Sequence, residues 1–381
     1  MSARPKSDFG YLRRRLSRES APMTLQPAPH NVRQTTGEHS SPAVRSLDRR
    51  SLLVGAVSGA LLLSLSNAEA ASKVDFIGAA SGLRFPEGPV VMTDGSVVLC
   101  EIAAGRVSRV QPGGQHEVVA EMGGGPNGCA IGPDGAIYVC NNGGLSWIEN
   151  GGKLLPGGRA PDYAGGHIDR LDLKTGRAHV LYHAVDGSPL SAPNDLVFDD
   201  RGGFWFTDTG AGAARSHDYG GLYYAKFDGS FIREAVYPMN APNGIALSPD
   251  GKVVYVALTY DRLVLAFPIT GDGTVDRNSV SFLPGRPVAT TPAGTLLDSM
   301  KAEADGTLCV AIALSVGGDT GILRIRPNGE KVGLISGPEG ITNIAFGGKG
   351  LRTAYITESI TGRLLKATWP APGLKLNYQS I

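Results

Sequence analysis

Charge of one sign is what this sequence most plainly lacks: 36 Lys and Arg stand against 35 Asp and Glu, for a net charge of +1 over 381 residues. Residues 1–70 hold ten basic and five acidic residues, which leaves 26 basic against 30 acidic in the remainder, a net of −4. A nucleic-acid-binding surface needs a basic excess, so that class of partner is disfavoured. No G-x-S-x-G nucleophile elbow occurs, which argues against a serine hydrolase of that kind. No dinucleotide-binding fingerprint leads from a strand into a helix, which weakens a redox reading. Long apolar runs are missing too. The stretch Leu52 to Ser66 is too short to span a bilayer comfortably.

That short run belongs to a leader. Residues 1–46 are polar, rich in Arg, Ser and Pro, and without apolar periodicity, so disorder is expected there. Residues 47–70 then carry Arg49-Arg50, the apolar run, and Ala68-Glu69-Ala70, an A-x-A cleavage pattern. Paired arginines before a modest apolar segment resemble a twin-arginine export signal, although Asp48 stands where Ser or Thr is usual. An uncleaved anchor is the alternative, and Met23 is a possible alternative start. The expectation is a working domain over residues 71–381 in the periplasm or outside the cell, without stable membrane association after cleavage.

What is abundant is glycine, 53 residues, with 25 prolines, spread evenly as many short strands and tight turns require. A short pattern recurs: apolar stretch, turn dipeptide ending in Gly, β-rich run. The turns are Asp94-Gly95, Asp134-Gly135, Arg201-Gly202, Asp250-Gly251, Asp305-Gly306 and Lys349-Gly350. After them come SVVLCEI, AIYVCNN, GFWFTDT, KVVYVAL, TLCVAIA and LRTAYITES, each followed by further strand-like segments. Repeats of four strands at this period are the pattern of an all-β, six-bladed β-propeller. A β-sandwich with an appended domain gives no reason for sixfold register. Lys73 to Gly78 (KVDFIG) precedes the first repeat and has outer-strand character, so it is expected to complete the last blade and seal the ring.

Register then selects side chains. Seven residues before the first residue of each turn dipeptide stand Glu87, Asn127, Asn194, Asn243, Asp298 and Thr342. Equivalent positions in equivalent blades form a ring about the axis, here at the start of the innermost strands. Carboxylate, amide and hydroxyl oxygens converging without His or Cys suit a hard divalent cation, calcium before magnesium, rather than a dedicated zinc site. Asn is also an ordinary turn residue, but Glu87 has no such preference, and an unpaired carboxylate among the apolar residues of FPEGPVV would be costly.

The segments FPEGPVV, APNDLVFDDRGGFWFTD, APNGIALSPDGKVVYVA, LLDSMKAEADG and YITESITGRLLKA resemble the senescence marker protein, gluconolactonase and luciferin-regenerating enzyme family over roughly residues 74–370. The resemblance implies a six-bladed propeller with one catalytic divalent metal, and lactone hydrolysis as the activity. Carried over residue by residue, it assigns Glu87, Asn243 and Asp298 to the metal, with Asn194 touching metal or substrate. Sugar lactonases of the family often carry Arg two residues before this Asn. Here Ala192 holds that position, which puts an aldonolactone in doubt.

The expected chemistry is metal-assisted hydrolysis of a cyclic ester. Asp298 is the candidate general base, Asn127 and Asn194 orient substrate, and Ser299 and His217 are further substrate contacts. Calcium is the expected metal, with magnesium, manganese or zinc as alternatives. The expected partner is a small-molecule lactone, and a monomer is the default. Two Gly-, Tyr- and His-rich stretches, 143–169 and 209–223, look like rim loops; His167, His217 and Tyr219 are solvated loop residues or substrate contacts. Asp208 and Glu358 are expected to serve turns or inter-blade bonds. Cys100 and Cys140 share a register, and an oxidising compartment would permit a bridge; buried free thiols are the preferred reading for these and for Cys129 and Cys309. Two other functions remain open: an exported binding propeller with structural calcium, and a propeller dehydrogenase.

Overall fold

The computed structural model describes residues 74–277 and 283–380. The expected leader (1–46) and export signal (47–70) lie outside the described residues, as does the first residue of KVDFIG.

The described chain forms six antiparallel four-stranded blades. Blade 1 comprises Pro86–Val91, Val97–Glu101, Arg106–Val110 and His116–Glu121; blade 2 comprises Pro126–Ile131, Ile137–Asn141, His167–Asp172 and Arg177–Tyr182. Blade 3 runs through Pro193–Phe198, Gly203–Asp208, Gly220–Lys226 and Ile232–Met239, and blade 4 through Pro242–Leu247, Val253–Leu258, Leu263–Gly271 and Arg286–Thr290. Blade 5 holds Thr295–Ala302, Leu308–Ser315, Gly321–Ile325 and Lys331–Ser336. Blade 6 holds Ile341–Gly347, Thr353–Glu358 and Arg363–Thr368, and its fourth strand is Ile77–Ser81 from the start of the domain. The first strands touch one another in cyclic order, blade 6 against blade 1 included, so the ring is closed.

Each repeat turns where its sequence says. All six dipeptide glycines have positive φ, from 66° at Gly350 to 89° at Gly306, which L side chains rarely adopt. Asp94, Asp134, Asp250 and Asp305 each accept the N–H two residues on, the side-chain bond that makes Asp a turn residue. Second strands such as Val97–Glu101, Ile137–Asn141 and Gly203–Asp208 are buried throughout, because each blade is packed between two others. That is why VVLCE, IYVCN and GFWFTD read as unbroken apolar runs rather than alternating ones.

The core is accordingly divided among the blade interfaces. Trp205 and Tyr224 of blade 3 pack with Val254 and Phe267 of blade 4; Cys309 and Ile322 of blade 5 pack with Ile344 and Ile356 of blade 6. Leu99 and Val110 of blade 1 pack with Leu364 of blade 6, so the seam is sealed by apolar contact as well as by strand pairing.

One boundary differs from expectation. The closing strand is Ile77–Ser81, paired with Arg363–Lys366, and not Lys73–Gly78. Val74 and Phe76, whose apolar character drew the expected boundary forward, pack on the blade 5–blade 6 core instead of entering the ladder.

Candidate active site

In every blade the pairing of the first strand slips at the ring position: the register shifts between Glu87 and Val90, Pro126 and Cys129, Pro193 and Leu196, Pro242 and Ile245, Leu297 and Met300, and Ile341 and Asn343. A bulge bends the strand and re-aims a side chain. The residue after the ring position is Gly in blades 1, 2 and 4. A Cβ there would lie 2.5 Å from backbone of the next blade: Cys129 N for Gly88, Asn194 O for Gly128, Asp298 O for Gly244. Glycine therefore sets how closely the inner strands approach.

Glu87, Asn127, Asn194, Asn243 and Thr342 are buried, and Asp298 is partly exposed. Glu87 Oε2 accepts the Gly88 N–H at 2.9 Å and Asn343 Nδ2 at 2.9 Å. Asp298 Oδ1 accepts the Ser299 N–H at 3.0 Å. The Thr342 hydroxyl is shared with Thr357 and Ser359. Burial pushes the Glu87 carboxyl up, against the lowering effect of Thr342, Asn343 and the Gly88 N–H. Burial pushes Asp298 well up, and the Glu87 carboxylate adds to it. Glu87 thus disfavours the charged form of Asp298, and the Asp195 carboxylate disfavours that of both. Beside them, Asn194 Oδ1 and Asn243 Oδ1 are buried with no hydrogen-bond partner, whereas buried polar atoms are nearly always paired. Unpartnered amide oxygens next to mutually repelling carboxylates fit a hard dication. Among the described residues, no three His, Cys, Asp or Glu side chains are placed to hold a metal; of the six ring positions two are carboxylates, three amides and one a hydroxyl, and the nearby Asp195 carboxylate is paired with Lys301.

The ring opens on a cavity of about 250 Å³ lined by Asn127, Asn194 and Asn243 together with Ala192, Thr209, His217, Ala241, Thr259 and Tyr260. His217 and Tyr260 meet edge to face, centroids 5.9 Å apart. Residues 143–169 supply a hairpin, Leu145–Asn150 with Lys153–Arg159, and Leu145, Pro156 and Gly157 line the same cavity. Residues 209–223 supply the small hairpin Gly212–Ala213 with Ser216–His217. Ser299 is buried and does not line this cavity; its backbone orients Asp298. His167 lies in a blade 2 strand, 3.2 Å from Asp169, and faces a different cavity with His183. Tyr219 is exposed. Asp208 accepts the N–H groups of Ser191, Ala192 and Gly210, and Glu358 those of Thr361 and Arg363, so both hold turns. All four cysteines are buried and free.

Several residues were not singled out from sequence. Thr259 and Tyr260 follow the second strand of blade 4 and reach the mouth just as the two hairpins do in blades 2 and 3. Their signal was position after a repeat strand, not residue type. Lys301 and Asp195 form a buried ion pair at 2.8 Å from blade 5 to blade 3; a lone Lys three residues beyond Asp298, on an inner strand, was the available sign.

Residues 85–360 match the family described as SMP-30/Gluconolactonase/LRE-like region. The chain is 28% identical over 312 residues to the gluconolactonase of Zymomonas mobilis, covering 74% of this chain and 78% of that one. It is 25% identical over 189 residues to the lactonase drp35 of Staphylococcus haemolyticus, covering 49% of this chain and 52%, about half, of that relative. Among solved structures, a gluconolactonase from Xanthomonas campestris superposes with a TM-score of 0.62 at 23% identity, covering 79% of this chain and 91% of the other.

Proposed function

The chain belongs to the SMP-30/gluconolactonase/LRE-like family, and from that membership together with the site we propose that it is a metal-dependent lactonase, holding a divalent cation, calcium first, on Glu87, Asn194, Asn243 and Asp298. The observation that carries the reading is the pair of buried, unpartnered amide oxygens beside two carboxylates whose pKa values burial raises, with Glu87 adding to the shift at Asp298. Lactone hydrolysis by relatives that cover much of the chain supports the reaction class.

A bound dication would supply Lewis-acid polarisation of the lactone carbonyl. The chain's own residues do the rest. Asn127 and Asn194 line the cavity and hydrogen-bond the ring and its carbonyl. Asp298, oriented by the Ser299 N–H and by the Asn243 side chain, takes the proton of the attacking water. Burial of Glu87 and the small cavity keep bulk water away from the developing charge. The paired arginines of the leader support export to the periplasm or beyond.

The full-length chain, stripped with a chelator, is titrated with calcium, magnesium, manganese and zinc and assayed on γ-, δ- and sugar lactones. Turnover is expected only with metal, and Asp298→Ala is expected to lower kcat/KM by about 100-fold or more. Tight metal binding with no turnover on any lactone would favour the binding propeller; no metal binding would remove the proposed centre.

A further inference from the structure

The cavity beside the candidate centre is lined without a single Lys, Arg, Asp or Glu. On the hairpin over it, the Arg159 guanidinium is tied to the Asp218 carboxylate and the Ala211 carbonyl. Apart from a cation at the centre, whose charge Glu87 and Asp298 balance, a phosphate or carboxylate on a substrate would meet no counter-charge there. Of the polar lining, Asn142 and Thr209 are engaged, whereas Asn194 Oδ1, Asn243 Oδ1 and the Thr259 hydroxyl are buried without a partner, enough for one small ring. Asn142 Oδ1 accepts the Gly144 N–H at 2.9 Å, and the Thr209 hydroxyl donates to the Ala192 carbonyl at 3.2 Å.

The part of the lining that a ring substituent would meet is apolar. Leu145 and Pro156 contribute from one hairpin, and Tyr260, 50% exposed, from blade 4 against His217. A cavity of about 250 Å³ is below the roughly 300–1,000 Å³ that buries a whole drug-sized ligand. It therefore houses a small ring and leaves any substituent at the rim.

We propose that the substrate is an uncharged lactone bearing an alkyl chain, with the ring at Asn127 and Asn194 and the chain laid along Leu145, Pro156 and the His217–Tyr260 pair. This rests on the lactonase reading. Burying a methylene fully is worth about a fourfold gain in affinity, and a chain covered on one side gains about half that in free energy, about twofold per methylene.

The full-length, metal-loaded protein is assayed on 4-alkyl-γ-lactones of increasing chain length, alongside a sugar lactone. A rise in kcat/KM of about twofold per methylene over the first several carbons is expected. Tyr260→Ser and Leu145→Ser should each flatten that slope, whatever they do to its intercept. Independently of turnover, 2-alkylcyclopentanones should bind by calorimetry with a Kd that falls along the same series. Lactones hydrolysed with no dependence on chain length, or with the sugar lactone preferred, would overturn the proposal and leave the lactonase reading standing. If no lactone is turned over, both fall.

Discussion

At the scale of single residues, the amide oxygens of Asn194 and Asn243 define the site, because a buried acceptor left unpaired costs about 1–3 kcal/mol. A cation binding there removes that cost and the repulsion between Glu87 and Asp298, so it should stabilise the fold by linkage. Calorimetry with calcium and with chelator is expected to show a metal-dependent rise in Tm that largely disappears in Asn243→Ala, while the chelated variant stays within about 1 kcal/mol of the parent. Away from the centre, Glu101 shows the opposite electrostatics. Burial alone would raise its carboxyl, but Arg106, the Ser108 hydroxyl and the Arg84 N–H hold it below the usual range. A lowered folded-state value means that its contribution is fully present above the unfolded carboxylate pKa, about 4.3, and is lost as pH falls through the folded value. Thermal scans from pH 6 down to pH 3 should therefore show a steeper loss of Tm for the parent than for Glu101→Gln.

At the scale of elements, the inner strands and the mouth hairpin carry separate burdens. Gly128 lies against the blade 3 backbone, where an added Cβ would sit 2.5 Å from Asn194 O. Gly128→Ala must push the inner strands apart, and a loss of about 1–3 kcal/mol is expected by denaturant titration, in the range of overpacked cores. Metal affinity should fall with it, because the shift displaces Asn194. The hairpin Leu145–Arg159 is held differently. Trp147 packs on Phe85 with centroids 4.9 Å apart, and the ion pairs Arg84–Glu149 and Lys153–Glu339 are exposed and contribute little. Trp147→Ala should leave the global Tm nearly unchanged while speeding protease cleavage within residues 145–159, as local opening would; a KM increase without a matching drop in kcat would place the hairpin at the substrate.

At the scale of the whole molecule, closure is the property that matters. Ile77–Ser81 pairs with the third strand of blade 6, so the earliest described strand and the last blade are one sheet. Deleting residues up to Ser81 leaves Arg363–Thr368 as a bare edge. Aggregation and a lower Tm are expected by scattering and calorimetry. The C-terminal segment adds a second tie at the far ends of the inner strands. Leu374 N–H donates to Ala302 O, Asn377 Nδ2 to Phe198 O and Gln379 Nε2 to Phe346 O, and Leu374 and Leu376 cover an apolar cavity lined by Val90, Ala130, Val197 and Ala345. One short tail thereby joins blades 3, 5 and 6.

Sequence by itself determined the repeat, because the Gly of each turn dipeptide needs positive φ and Asp bonds its own backbone, both local requirements written in residue type. It also determined the ring positions, since equal spacing within repeats survives any detail of packing. Tertiary structure decided the rest. The closing strand slipped from Lys73–Gly78 to Ile77–Ser81 because Val74 and Phe76 found partners in a core built by residues more than 230 positions away. Thr259, Tyr260, Lys301 and the C-terminal segment acquired their places only when six blades were brought round one axis. Which faces a side chain meets there depends on neighbours distant in sequence, and no local preference encodes them.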